Sequence, residues 1–360
     1  MQDKLKLNIA GFGSPIVDTF LLKEEEPELS EKIIKNFKLH MSVDDKYEWD
    51  IYNQLFINRR IDLMLGGSAL NVIRMANFVL SKFDNIDPKI CFFGSTSNDN
   101  FGKLIMEKLT EERVIFYNQI FPNSMTCSNI VLIDNKERIF FTNLGVSELT
   151  EKTFIEQHCF LLDNLTLFYT DAYLINRCKE IYDYIYHTFY IKEDLMLALG
   201  MGSDRIINEF FKFIIEYLPY IDIILINKEE NDCLKNKFEK SELNDEDFIK
   251  FLSNYDKINK RKVRIIVNTR GSRDTLICVK DFQKNILKFY SVPVINLEAS
   301  EIVDLNGAGD GFAGGFLGGF LKGLDIDECG KLGNFIASEV LKLRGFQIPK
   351  IDSIDLIKII

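Results

Sequence analysis

The chain has 360 residues, 46% of them apolar and 12% aromatic, enough to bury a substantial core in one large domain or two. Its 54 acids against 44 bases give a net charge of −10, which argues against nucleic acid as a partner. No apolar run approaches the ~20 residues of a membrane span, so no membrane association is expected.

Seven cysteines are scattered without CxxC pairs or metal spacing. That usage fits reduced, mostly buried thiols. Met1-Gln2-Asp3-Lys4-Leu5-Lys6 carries no signal-peptide pattern, so a cytoplasmic protein is expected.

From the N-terminus onward, strand-like and helix-like segments alternate. Apolar, β-branched or aromatic runs fall at residues 7–12, 89–93, 165–169, 222–226 and 263–268. Helical patterns lie at 70–82, 101–111, 179–189, 204–217 and 245–255. The charged run 23–31 reads as a solvated face. The alternation predicts a three-layer α/β/α fold with a mostly parallel central sheet. Such sheets bind ligands at the carboxyl ends of their strands, and Gly66, Asn227, Thr269 and Gly307 all follow apolar runs.

Residues 114–144 break the alternation with extended pieces and no good helix. Asp134-Asn135-Lys136 is a turn signal between two of them. The region reads as a hairpin outside the main sheet. A small discontinuous β-lid is expected, drawn from about 14–22, 36–65 and 113–145 and inserted in one domain that spans the chain.

The most informative stretch is Asp304-Leu305-Asn306-Gly307-Ala308-Gly309-Asp310, which leads into the glycine-rich apolar segment 311–324. A tight turn into a helix leaves backbone N–H groups pointing out of the helix N-terminus, where an anion is welcome. Asp310 then sits in the first turn beside that anion site. A carboxylate there is placed to accept a proton from an attacking hydroxyl, while Gly307, Ala308 and Gly309 hold the charge of a transferring phosphoryl group. The same residues also read as a plain turn with Asp310 capping the helix.

A second signal lies upstream. Gly66-Gly67-Ser68-Ala69-Leu70-Asn71 follows the apolar run 61–65 and opens a helix. The glycine pair lets a backbone approach a ligand closely, and Asn71 points an amide at the same place.

Together these stretches resemble the two signatures of the ribokinase-type (PfkB) family of sugar and nucleoside kinases, Gly-Gly-x-x-x-Asn and Asp-Thr-x-Gly-Ala-Gly-Asp. Asn227-Lys228-Glu229-Glu230 is similar to the family's Asn-x-x-Glu, and Thr269-Arg270-Gly271 to its Thr-x-Gly. Gly11-Phe12-Gly13-Ser14-Pro15-Ile16-Val17-Asp18 resembles the Gly-x-Gly-Asn-Pro-x-x-Asp start of the adenosine-phosphorylating branch. Residues 138–144 resemble that branch's run with an arginine over the phosphate. The matches fall in order along nearly the whole chain.

The resemblance implies a ribokinase-like fold and transfer of a phosphoryl group from ATP, with Mg²⁺, to the 5′-hydroxyl of adenosine, giving AMP and ADP. It implies Asp310 as general base, the Gly307–Gly309 backbone as anion hole and Arg138 on the phosphates. Asp18 would take the ribose diol, with Ser14, Gly66, Gly67, Ser68 and Asn71 around it. His40, Cys127, Phe140, Leu144 and Tyr173 or Leu174 would wall the adenine. Thr269, Arg270, Gly271, Asn306 and Asn334 would lie by ATP. Asn227 and Glu230 would order Mg²⁺, Glu230 indirectly through water; the pair reads equally as a helix N-cap with its capping-box partner.

Three positions depart from the pattern: Leu305 replaces Thr, and Ser14 and Ala198 stand where Asn is usual. Ala198 and Leu305 keep open a rival reading, a catalytically weakened nucleoside- or nucleotide-binding homologue; a second rival, another ribokinase-like sugar kinase, has the Arg138 run and the Pro15 start against it. The family branch is usually monomeric, so a monomer is expected.

Overall fold

The computed structural model describes residues 5–36, 40–41, 62–84, 86–134, 137–158, 165–353, 356 and 359. In chain order it begins with β1 (Leu5–Phe12), β2 (Ile16–Leu22), α1 (Pro27–Asn36), β3 (His40–Met41), β4 (Asp62–Gly66) and α2 (Ser68–Ser81). Then come β5 (Ile86–Thr96), α3 (Asn100–Glu111), β6 (Ile115–Ile120), β7 (Ser128–Asp134), β8 (Glu137–Asn143) and α4 (Lys152–Gln157). Next are β9 (Leu165–Asp171), α5 (Lys179–Phe189), β10 (Met196–Gly200), α6 (Asp204–Tyr217), β11 (Ile223–Ile226) and α7 (Lys228–Lys237). The chain closes with α8 (Asp245–Asn254), β12 (Arg264–Arg270), β13 (Arg273–Asp281), β14 (Ile286–Val292), α9 (Ala308–Lys322) and α10 (Ile326–Leu341).

These elements form two units. One comprises Met1–Gly13, Ser68–Phe93 and Glu151–Ile360; the other comprises Ser14–Gly67 and Gly94–Thr150.

The first unit is built on the expected mostly parallel sheet. The strand order is β14-β13-β12-β11-β10-β9-β1-β5-β6. β5, β1, β9, β10, β11 and β12 pair in parallel, and β13 and β14 extend the edge antiparallel. Strands covered on both faces must be apolar throughout, and Ile223–Ile226 is a four-residue run buried at every position. β5 continues past Phe93 into the second unit, where β6 lies beside it.

Two rows of glycines let α9 pack at near-backbone distance on both sides. A Cβ on Gly311 would lie 2.9 Å from Val340 on α10, and one on Gly315 would lie 3.1 Å from the Gly333 Cα. On the other face, a Cβ on Gly314 would press on Met75 and lie 2.8 Å from the Val72 carbonyl of α2, and one on Gly318 would lie 2.8 Å from Val79. Spacings of four residues place each row on one helix face. The helix pair beneath closes on a core of Met75, Val79, Leu332, Ile336 and Val340.

The second unit carries a five-stranded sheet of order β3-β8-β7-β2-β4. β2 pairs antiparallel with β4 and parallel with β7; β7 and β8 form an antiparallel hairpin. Residues 135–136 of its turn lie outside the described residues.

One expectation needs correction. The piece 114–121 does not join the hairpin: β6 stands in the order of the large sheet. The charged run 23–31 is the solvated face expected: its acids are exposed or half-buried although α1 begins at Pro27, and only Ser30 within it is buried. The run β10 was not legible as a strand. Met-Leu-Ala-Leu-Gly has no β-branched residue and no alternation, and only its place between β9 and β11 makes it extended.

Candidate active site

In the first unit the loop before α9 is pinned by Asp304. Its Oδ1 accepts from the Asn306 N–H at 2.8 Å, and its Oδ2 from the Gly345 N–H at 2.6 Å. Gly307 has φ +78°, a left-handed conformation suited to glycine, and a Cβ there would meet the Phe346 ring at 2.8 Å. The first intrahelical bond runs from the Gly311 N–H to the Gly307 carbonyl. The N–H groups of Ala308, Gly309 and Asp310 precede it and have no partner within the helix. Nothing lies within 4 Å of a Cβ built on Gly309, so the turn is open on that side.

Asp310 sits in this first turn, and two side chains of the first turn of α2 hold its carboxylate. Ser68 Oγ donates to Oδ1 at 2.8 Å, and Asn71 Nδ2 donates to Oδ2 at 2.9 Å. Burial pushes the Asp310 carboxyl up from 3.8 to about 6, while the Asn71 and Ser68 hydrogen bonds pull the other way. The result is a carboxylate that is ionised at neutral pH yet basic enough to take a proton. Ser68 and Asn71, expected around a ribose, are found oriented on Asp310.

Two further acids lie close enough to feel Asp310. Asp171, at the end of β9, is 3% exposed. Its Oδ2 accepts from the Ala69 N–H at 2.8 Å and its Oδ1 from the Tyr173 N–H at 3.0 Å. Burial first, and Asp310 in addition, raise it from 3.8 to about 7. Sequence reasoning passed over Asp171; an acid closing an apolar strand at its carboxyl end was the available signal. Glu230 is also raised, from 4.5 to about 7, by burial first and then by Glu229, Asp204 and Asp310.

Asn227 and Glu230 form a full capping box on α7. Asn227 Oδ1 accepts from the Glu230 N–H at 2.8 Å, and Glu230 Oε2 accepts from the Asn227 N–H at 2.9 Å. Glu230 Oε1 accepts none of the described hydrogen bonds. Among the described residues Asp171, Glu230 and Asp310 do not form a close set of ligand atoms, as Asp183, His187 and Glu216 do, so of the three only Glu230, with Oε1 outside the capping box, is placed to reach a divalent cation, and then through water.

The remaining first-unit candidates differ in what they offer. Tyr173 is 40% exposed, with its hydroxyl on the Gly202 carbonyl. Gly271 turns at φ +62°. Arg270 donates to the Asp274 carbonyl at 2.8 Å and stands 3.5 Å from Asp245. Thr269 Oγ1 reaches the Ile226 carbonyl at 3.5 Å. Asn334, expected near ATP, is buried and engaged by protein. Its amide donates to the Pro293 carbonyl at 2.9 Å and accepts from Thr275 Oγ1 at 2.9 Å, tying α10 to the sheet edge.

In the second unit Asp18 lies on β2, buried, and its Oδ1 accepts from Asn129 Nδ2 at 2.7 Å. Gly66 packs directly on its carboxylate. Gly67, at φ +101°, faces the Ser14 carbonyl. Ser14 Oγ is buried without a hydrogen-bond partner among the described residues, an unsatisfied polar atom that calls for one. Cys127 is fully buried, and burial pushes its thiol up to about 12, so it presents a neutral surface. Phe140 is 37% exposed and Leu144 half-buried. Arg138 and His40 stand on β8 and β3, and their side chains lie outside the described residues.

All six described cysteines are free and buried, as expected from their spacing. Among the described residues no helix is long and apolar enough to cross a membrane.

The model of the pfkB family of carbohydrate kinases matches residues 39–353 of the chain. The adenosine kinase of Dictyostelium discoideum is 26% identical over 326 residues, covering 86% of this chain and 92% of that protein. The adenosine kinase of Schizosaccharomyces pombe is 27% identical over 299 residues, covering 79% and 81%. Among solved structures, adenosine kinase from Schistosoma mansoni in complex with 2-fluoroadenosine superposes with a TM-score of 0.79 at 20% identity, covering 95% of this chain and 97% of that one. At that identity the structural likeness establishes the ribokinase-like fold alone.

Proposed function

This chain belongs to the pfkB family of carbohydrate kinases, and from that membership we propose that it transfers the γ-phosphoryl group of ATP to the 5′-hydroxyl of adenosine, giving AMP and ADP. The observation that carries the chemistry is Asp310, held by Ser68 and Asn71 beside the open N-terminus of α9.

Asp310 takes the proton of the attacking 5′-hydroxyl. Its two hydrogen bonds fix the rotamer, so the accepting oxygen meets the hydroxyl without reorganisation. The N–H groups of Ala308, Gly309 and Asp310 hold the negative charge of the transferring group. The family resemblance assigns Arg138 to the phosphates, whose oxygens suit a guanidinium fork. Asp18, with Ser14, Gly66 and Gly67, binds the ribose diol. The family resemblance assigns Cys127, Phe140, Leu144, His40 and Tyr173 to the adenine. Thr269, Arg270, Gly271 and Asn306 lie toward the nucleotide.

Glu230, backed by Asn227, would hold Mg²⁺ through water. The ion, when bound, neutralises the triphosphate charge that the buried acids would otherwise repel. The same reading makes the protein a cytoplasmic monomer whose partners are adenosine and ATP.

The test is a coupled assay for ADP with ATP and Mg²⁺ over adenosine, 2′-deoxyadenosine and ribose, the product identified by mass. AMP from adenosine is expected. Ribose as the best acceptor would overturn the nucleoside reading in favour of a sugar kinase, and no turnover with any acceptor would overturn the enzyme.

A further inference from the structure

Arg74 lies on α2, one turn beyond Asn71, and is 6% exposed. A buried guanidinium is costly unless its donors are met. Its Nη1 donates to Asn71 Oδ1 at 3.3 Å. Its guanidinium carbon stands 5.5 Å from the centre of the Phe346 ring, in cation–π range. Phe346 is the ring that fills the space beside Gly307. Arg74 therefore touches both the residue that holds Asp310 and the residue that shapes the turn before α9.

The link through Asn71 is directional. A primary amide has a donor end and an acceptor end of nearly equal shape, and a half-turn exchanges them. With the N–H end on Asp310 it serves the ionised carboxylate; with the carbonyl end there it bonds only the protonated acid. A guanidinium has donors and no acceptor. It takes only the carbonyl end of Asn71, and so leaves the N–H end for Asp310 Oδ2.

We propose that Arg74 is a positioning residue for phosphoryl transfer: it locks the Asn71 amide with Nδ2 on Asp310 and, through Phe346, supports the Gly307 turn. The proposal rests on Asp310 being the base in the reaction argued above. Arg74 acts here through the groups it holds, Asn71 and Phe346, and not as a group that bonds the reacting atoms itself.

The experiment is a double-mutant cycle with a second readout that needs no turnover. Arg74→Ala should lower kcat by about tenfold or more while the adenosine KM stays within about threefold. In an Asn71→Ala background the same change should cost less than about threefold, because the part of its effect that runs through Asn71 is already gone and only the Phe346 contact remains to be lost. Arg74→Lys, which keeps a cation and a donor group but loses the planar guanidinium, should recover part of the loss. If Arg74→Ala does not fold, the cycle runs with Arg74→Lys. Its partial loss should then shrink in the Asn71→Ala background. Losses that multiply in full would overturn the proposal.

The second readout is an NMR titration of the Asp310 carboxyl without substrate. In Arg74→Ala, and in Arg74→Lys to a smaller extent, its midpoint should rise by about half a unit or more, because a freed amide favours the protonated acid. The other groups that face Asp310 (Asp171 on β9, Glu230 on α7, and the Tyr169 and Tyr173 phenols) are unchanged in these variants. An unmoved midpoint would overturn the proposal. A wild-type protein that leaves adenosine unphosphorylated while the midpoint still moves would overturn the functional reading and leave the Arg74–Asn71–Asp310 link standing.

Discussion

Gly66 and Asp18 pack so tightly that a Cβ on Gly66 would overlap the Asp18 Oδ2 oxygen and lie 2.9 Å from its Cγ. Glycine at this position is therefore a requirement of the carboxylate beside it. Gly66→Ala must push Asp18 aside. Under the proposed ribose role, adenosine affinity should fall by about tenfold or more, since a displaced carboxylate forfeits a charged hydrogen bond. Calorimetric titration measures it; an unchanged Kd would separate Asp18 from the ribose.

Asp18 should also set the preference for a full diol. A substrate lacking the 2′-hydroxyl leaves a buried carboxylate oxygen short of a partner, at roughly 1–3 kcal/mol. Adenosine should exceed 2′-deoxyadenosine by about tenfold or more in kcat/KM. Asp18→Ala should lower activity on adenosine and shrink that ratio. A ratio that survives the substitution would remove Asp18 from the ribose site.

Asp310→Asn keeps the shape and one acceptor but cannot take a proton. It should lower kcat by ~10²-fold or more and leave adenosine binding within about severalfold. Near-normal turnover in this variant would end the assignment of the base.

Two pH effects follow from the raised acids. Asp310, at about 6, must be ionised to act, so kcat/KM should fall as pH drops below that value. For stability the sign is opposite. Asp310, Asp171 and Glu230 hold protons more tightly folded than unfolded, so their stabilisation is full below about pH 4 and is lost as pH rises through 6–7. The apo protein should melt lower at pH 8 than at pH 5.5, and Asp171→Asn should flatten that slope. A profile that rises through this window would show that these acids are not buried as described.

Gly314→Ala should weaken the fold. The new methyl would press on Met75 and the Val72 carbonyl at the α9–α2 contact, and separating two helices loses packing along their length. A loss of about 1–3 kcal/mol is expected from chemical denaturation. Gly309→Ala, where nothing lies within 4 Å, is the control for stability and should change it little.

Much of this was legible in the sequence, and for a physical reason. Hydrophobic period is a local property, so the helical patterns at 101–111, 179–189 and 204–217 needed no tertiary information to emerge as α3, α5 and α6. The capping box of Asn227 and Glu230 is likewise written into four adjacent residues. Turn chemistry fixed the glycine start of α9 in the same way.

Tertiary structure decided the rest. Ser68 and Asn71 meet Asp310 across 242 and 239 residues of chain, and no periodicity carries that information. Asp171 became a buried acid only because β9 ends against the Ala69 N–H. β10, with no strand signal of its own, is extended because β9 and β11 claim its backbone hydrogen bonds on both sides. Residue identity and spacing set which groups were available. Burial, which alone lifts Asp310 to about 6, and the partners that aim it depend on elements that pack together only in the folded chain.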